Sequence, residues 1–305
     1  MGIANVIPGV SGGTIALITG IYEELINSLK SFDKKALTYL FSFKIKKFLN
    51  HTNFYFISIV FSGSIGILFI VAYPLEFLLN QHTKFVYSLF FGLIIASIFS
   101  VGQLIKKWNL SSIIAIMFGF IAAIIITYLI PPANENENLL YIFICGIVSI
   151  SGMMLPGLSG SYILILLGNY QLIFAKTFTK FINSIQTIFD NNISFDPNPL
   201  IILSSFCAGS LFGLLSFSHL LSWLLKKYKD QTLAVLTGFI IGSLSVIWPW
   251  KKVKDYIIIE GNKKVTEYDL FFPNEISLDN LIAVLLIILG FLIVFIIEKL
   301  SLSKK

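Results

Sequence analysis

The sequence predicts an all-α polytopic membrane protein made of two inverted repeats, each a broken, re-entrant helical hairpin followed by three transmembrane helices. Three observations lead there. The 305 residues are 56% hydrophobic and only 12% charged, with a mean hydropathy of +0.86, far too apolar for a water-soluble globule. Pro and Gly, which cost roughly 3 and 1 kcal/mol inside a helix relative to Ala, recur in the same order within two apolar stretches, "VIPGVSGGTIALITGIY" near the start and "MLPGLSGSYILILLGNY" in the middle. Those stretches also belong to a longer echo. Residues 7–22 aligned with 155–170 share seven of sixteen positions, "SGSIGIL" at 62–68 faces "AGSLFGL" at 208–214, and "FGLIIASI" at 91–98 faces "TGFIIGSL" at 237–244.

Taken in order, stretch 1–29 holds the first break. No basic region precedes it and no cleavage site follows, so it is expected in the mature protein. Runs near 54–74, 85–105 and 111–130 are each about as long as the roughly 20 residues that span a bilayer. They complete a first repeat at 1–131. The polar "PPANENEN" supplies a linker at 132–138. A second repeat at 139–299 opens with the broken stretch 139–175, continues through spans near 200–225, 232–249 and 281–297, and carries a polar insertion at 251–279.

Charge sets the orientation through the positive-inside rule. Lys30, Lys34, Lys35, Lys44, Lys46 and Lys47 stand against Asp33 alone, which puts that segment in the cytoplasm; "KKW" at 106–108, "KKYKD" at 226–230 and the terminal "SKK" fall on the same side. The linker, with Glu135 and Glu137, and the 251–279 insertion fall outside. Three spans then separate two hairpins that each enter and leave on one side, so the halves are inverted, as in secondary transporters with broken helices at the midplane.

The breaks suggest the chemistry. Non-helical backbone inside a membrane survives only where protein or a water-filled cavity satisfies its polar groups. After each Pro-Gly turn come small and hydroxyl residues that start a new helix: Ser11, Gly12, Gly13 and Thr14 in one half, Ser159, Gly160 and Ser161 in the other. Helix-start N–H groups, close approach at Gly and hydroxyl donors suit a phosphate or carboxylate. All 22 basic residues are Lys, so no guanidinium fork is available to such a site.

Other polar residues compete. Glu23 follows the first motif and aligns with Gln171, so it is either a carrier of a coupling proton or an interfacial acid beside Glu24. His219 lies within a span, as a titrating group or a packed neutral imidazole. Tyr22 and Tyr170 close the two motifs. Cys145 and Cys207 read as core residues without metal-ligand spacing, and Gly119 reads as a packing glycine that tolerates Ala. No metal, cofactor or nucleic-acid partner is expected. A lipid phosphatase is disfavoured, since the chain has no Arg and its three His have no acid partner at fixed spacing.

The segments "GIANVIPGVSGGTIALITGIYE" and "SGMMLPGLSGSYILILLGNY" resemble the two signatures of the bacterial polyprenyl-phosphate transporter family, and the resemblance covers nearly the whole chain. It implies a flippase that returns undecaprenyl phosphate from the outer to the inner leaflet of the cytoplasmic membrane; the Lys distribution makes the chain multi-pass with a cytoplasmic C-terminus, and a coupling ion, proton or sodium, is a further candidate partner. It also implies substrate-binding residues at Pro8, Gly9, Ser11, Gly12, Gly13, Thr14, Pro156, Gly157, Ser159, Gly160 and Ser161. In one respect the sequence departs from the family: related chains usually have a further helix before the first motif. The alternative function is secondary transport of a small water-soluble anion by the same half-helix logic.

Overall fold

The computed structural model describes residues 1–2, 11–129, 135–177, 197–259, 262–273, 275 and 277–302. The first broken stretch gives α1 (Gly12–Ile18) and α2 (Tyr22–Lys30), followed by the short, Lys-rich α3 (Lys34–Phe41) and α4 (Ile45–His51). Three long helices follow: α5 (Phe54–Gln81), α6 (Thr83–Gln103) and α7 (Leu110–Ile124), the last prolonged by a π-helical turn at Ile125–Leu129. The second broken stretch gives α8 (Leu139–Met154), α9 (Gly160–Leu166) and a π-helical segment at Gln171–Thr177. Then come α10 (Asn198–Lys227), α11 (Lys229–Ser243), the strands β1 (Lys251–Ile259) and β2 (Asn262–Leu270), and α12 (Leu278–Leu302).

Side chains mark several helix starts. Asp33 accepts from the amides of Lys35 and Ala36, Asn109 from Ser112, and Asn138 from Leu140 and Tyr141, each satisfying donors that have no intrahelical partner. Among the described residues, four helical stretches are long and apolar enough to cross a membrane: Thr83–Gln103, Leu110–Tyr128, Asn198–Lys227 and Leu278–Ile296. The chain is an all-α polytopic membrane protein. Phe118, Leu211 and Leu285 stand exposed on α7, α10 and α12, a surface that suits lipid rather than water.

The predicted span 232–249 is shorter than expected. α11 stops at Ser243, where the hydroxyls of Ser243 and Ser245 turn back onto the carbonyls of Ile240 and Gly242, and Pro249 bars a continued helix. The 251–279 insertion, read only as polar, contains an antiparallel hairpin in which Val253 pairs with Tyr268 and Tyr256 with Val265. Its aromatic and β-branched residues fit a pleated surface.

The central helices are α6 and α11, largely buried by their neighbours. Close crossings fix the bundle. A methyl group at Gly92 of α6 would strike the Ile287 carbonyl of α12, and one at Gly290 the Leu89 carbonyl in return. On the other side, Gly119 of α7 abuts the Val235 carbonyl of α11, and Gly238 abuts that of Ile116. Gly119 is therefore not the tolerant glycine the sequence suggests, because a backbone carbonyl, not a movable side chain, occupies the space of its Cβ.

The ends of the bundle differ. At one end Lys229 pairs with Glu23 at 2.6 Å, Asp230 accepts from the amides of Lys106 and Lys107, and Lys30 reaches Ser222. At the other, Asn280 accepts from Trp250 at 2.9 Å and from Lys84, and Trp248 packs edge-on to Phe91.

Candidate functional site

The second break follows from its residues. Pro156 lacks the amide that a further turn of α8 would need. Gly157 takes φ +83°, with the Phe239 carbonyl 2.7 Å from where a Cβ would sit, so a side chain there would be both strained and obstructed. Ser159 is extended, at φ −105° and ψ 128°, and α9 starts after it. α9 then runs back along α8. Ser149 Oγ donates to the Gly160 carbonyl at 2.8 Å near the tip, and Tyr141 donates to Leu167 at 2.9 Å near the mouth. At the mouth the Asn169 side chain accepts from the Asn136 amide and donates to its carbonyl. This stretch is an antiparallel helical hairpin.

In the first break, Pro8 and Gly9 lie outside the described residues. Ser11 caps α1, its Oγ accepting from the Gly13 amide at 3.1 Å. α1 and α9 end alike, with Gly20 and Gly168 in left-handed backbone at φ 74° and 75°.

The two breaks touch. Thr14 Oγ1, fully buried, accepts from the Gly157 amide at 3.1 Å. Ser11 Oγ lies 3.3 Å from the carbonyls of Met153 and Leu155, and the buried Tyr22 hydroxyl donates to Met154 at 2.9 Å. Side chains of the first motif thus satisfy the carbonyls left over where α8 ends. The hydroxyl protons of Ser11 and Tyr22 are engaged there, and Thr14 gives its lone pair to Gly157. Gly12 and Gly13 are buried in α1, and a Cβ on Gly13 would lie 3.0 Å from the Met154 carbonyl.

The second motif faces open space. Ser159 and Ser161 share a hydrogen bond of 2.8 Å on the wall of a cavity of about 260 Å³. Five hydroxyl residues line it: Ser11, Ser149, Ser159, Ser161 and Ser210. Ile150, Met153 and Phe206 supply apolar wall. Met153 is 40% exposed, and it lies one turn along α8 from Ser149 on the face that lines the cavity. Gly160 is packed against Ser149, whose carbonyl would be 2.8 Å from a Cβ. Because α1 and α9 are each seven residues long, their macrodipoles are short, and hydroxyls and first-turn N–H groups carry the site's polarity.

Ser149, Ser210 and Phe206 escaped the sequence reading. Ser210 had a signal, since it aligns with Ser64 in the facing "SGSIGIL" and "AGSLFGL" segments; the other two had none. The remaining candidates lie elsewhere. Glu23 is half-exposed in its pair with Lys229. His219 is on the exposed side of α10, its Nδ1 donating to the Leu215 carbonyl at 2.8 Å. Tyr170 packs beside Ile142, Leu164 and Leu172. Cys145 is buried, whereas Cys207 is exposed on α10. Among the described residues no cluster of His, Cys, Asp and Glu could hold a metal.

Comparison with known proteins adds the family. The undecaprenyl phosphate translocase-like family model matches residues 1–265. The chain is 36% identical over 267 residues to a polyprenyl-phosphate transporter of Vibrio cholerae, covering 87% of this chain and 80% of that one. It is 28% identical over 264 residues to a polyprenyl-phosphate transporter of Staphylococcus aureus, covering 82% and 83%. No solved structure matches it. The family match runs through both broken stretches and the cavity between α8 and α10, and the chain belongs to the undecaprenyl phosphate translocase-like family.

Proposed function

We propose that this protein moves a polyprenyl phosphate, undecaprenyl phosphate or a close relative, across the cytoplasmic membrane from the outer to the inner leaflet. The observation that carries the reading is the serine-lined cavity beside the second break, with Ile150, Met153 and Phe206 as its apolar wall. A phosphate head crossing low dielectric needs hydrogen bonds throughout, while its prenyl tail can stay in lipid. The apolar wall beside the hydroxyls favours that ligand over a water-soluble anion. The names of the relatives point the same way.

In this reading the halves 1–131 and 139–299 are inverted repeats, and the Lys-rich end, where Glu23 meets Lys229, faces the cytoplasm. The Ser159 and Ser161 side holds the head group. Ser11, Thr14 and Tyr22 lock the first hairpin to the second and hold the break in shape. The protein acts as a transporter, not as an enzyme, and a coupling ion supplies direction.

The test is reconstitution. Proteoliposomes are assayed for leaflet exchange of undecaprenyl phosphate and, in parallel, for uptake of small carboxylates and inorganic phosphate. Lipid exchange without solute uptake supports the proposal; the reverse result would establish the soluble-anion alternative.

A further inference from the structure

We propose that the cavity takes the phosphate head group in its singly charged, protonated form, so that a proton travels on each lipid phosphate. This rests on the reading of the chain as a polyprenyl-phosphate transporter and specifies the ligand of that same cavity.

The first support is charge. None of the ten residues around the cavity is ionisable. The elements that build it bring few titratable groups, and those are occupied or distant. On α8, Tyr141 donates to Leu167 and Cys145 is buried. On α9, Tyr162 donates to the Thr127 carbonyl at 2.8 Å. On α10, Cys207 and His219 are exposed on the helix. Lys226 and Lys227 lie four turns or more beyond Ser210, about 24 Å at 1.5 Å per residue. α1 contains no ionisable residue, Tyr22 at the start of α2 donates to Met154, and "IANVIPGV" at 3–10 has none in its sequence. A phosphate dianion here would have no cation to offset its second charge, and burying an unpaired charge is prohibitive.

The second support is the direction of the hydrogen bonds. Ser149 has to be the donor toward the Gly160 carbonyl, so its Oγ can offer a ligand only lone pairs. Of the Ser159 and Ser161 pair, one hydroxyl proton is used internally and one is left for a ligand. The wall therefore presents an acceptor beside donors. A dianionic phosphate has nothing to donate to Ser149, whereas a monoanion carries one P–OH. The second ionisation of a phosphate monoester falls near pH 6, and apolar walls such as Ile150 and Phe206 favour the less charged form. The proton is taken from water as the head group enters and returns to water at the far leaflet; only O–H bonds form and break.

The test uses purified protein in nanodiscs with two probes, farnesyl phosphate and its methyl ester, whose single charge is fixed. Farnesyl phosphate should bind about 100-fold more weakly at pH 9 than at pH 7, following the monoanion fraction set by an ionisation near pH 6, while the methyl ester should change by less than about twofold. The ³¹P resonance of bound farnesyl phosphate at neutral pH should sit at the monoanion's shift. Ser149→Ala should weaken farnesyl phosphate more than the ester, which lacks the P–OH. Binding that is independent of pH, with the dianion's ³¹P shift, would overturn the protonated head group and leave the transporter reading standing. Failure of both probes to bind at any pH would overturn the cavity as the phosphate site, and this inference with it.

Discussion

Replacing Thr14 with Val tests the contact that joins the two breaks. Val keeps the branched shape and removes the oxygen, leaving the buried Gly157 amide without the acceptor it has at 3.1 Å. A buried donor without a partner costs about 1–3 kcal/mol. Little relaxation is open to Gly157, because its φ of +83° and the Phe239 carbonyl fix its backbone. That energy corresponds to about a 5- to 150-fold rise in local opening, which hydrogen exchange followed by mass spectrometry reads directly in the segment 155–160. Thr14→Ser retains the oxygen and should exchange within a few-fold of the parent. If Thr14→Val exchanged like the parent while Gly157→Ala, which strikes the same place sterically, exchanged much faster, the hydrogen bond would not be what holds the breaks together.

Other expectations follow from exposure and packing. Glu23→Gln should cost at most about 1 kcal/mol, since exposed pairs are weak and both partners are about half-exposed; loss of all lipid exchange in proteoliposomes would instead restore Glu23 as a proton carrier. His219→Phe should leave exchange and its pH profile unchanged, because the ring lies on the exposed side of α10. Gly119→Ala should lower the melting temperature strongly and Gly63→Ala should not, as nothing lies within 4 Å of a Cβ at Gly63; equal melting would refute the crossing geometry. With Cys145 and Cys207 replaced, single cysteines at Leu40 and Phe272, which are 42% and 75% exposed, should be labelled from opposite faces.

Much of this was legible in the sequence because membrane burial leaves a coarse signal. Long apolar runs located α5, α6, α7, α10 and α12, and Pro156 with Gly157 marked the turn between α8 and α9. What stayed hidden depends on partners distant in sequence. Ser11 and Ser159 look equivalent in the aligned motifs and both line the cavity, yet the Ser11 proton is engaged by carbonyls some 140 positions away whereas the Ser159 hydroxyl bonds to its neighbour Ser161. Periodicity does not reveal which of two like hydroxyls is already occupied. Ser149 and Phe206 became visible only when α8, α9 and α10 were brought together. Gly119 misled for the same reason, since its neighbour is a carbonyl on another helix. The β hairpin left little signal in the sequence because the register shift between Val253 and Tyr256 breaks the alternation of its apolar residues.

Everything proposed for this protein turns on whether the cavity between α8 and α10 holds the phosphate end of the lipid. The most direct test is photolabelling in membranes with a prenyl phosphate that carries a diazirine on the carbon next to the phosphate, mapped by peptide sequencing. Adducts are expected on Ile150, Met153 and Phe206, suppressed by unlabelled undecaprenyl phosphate and reduced in the Ser159→Ala, Ser161→Ala double variant. Competable adducts confined to α6 and α12, with these three residues unlabelled, would contradict that placement.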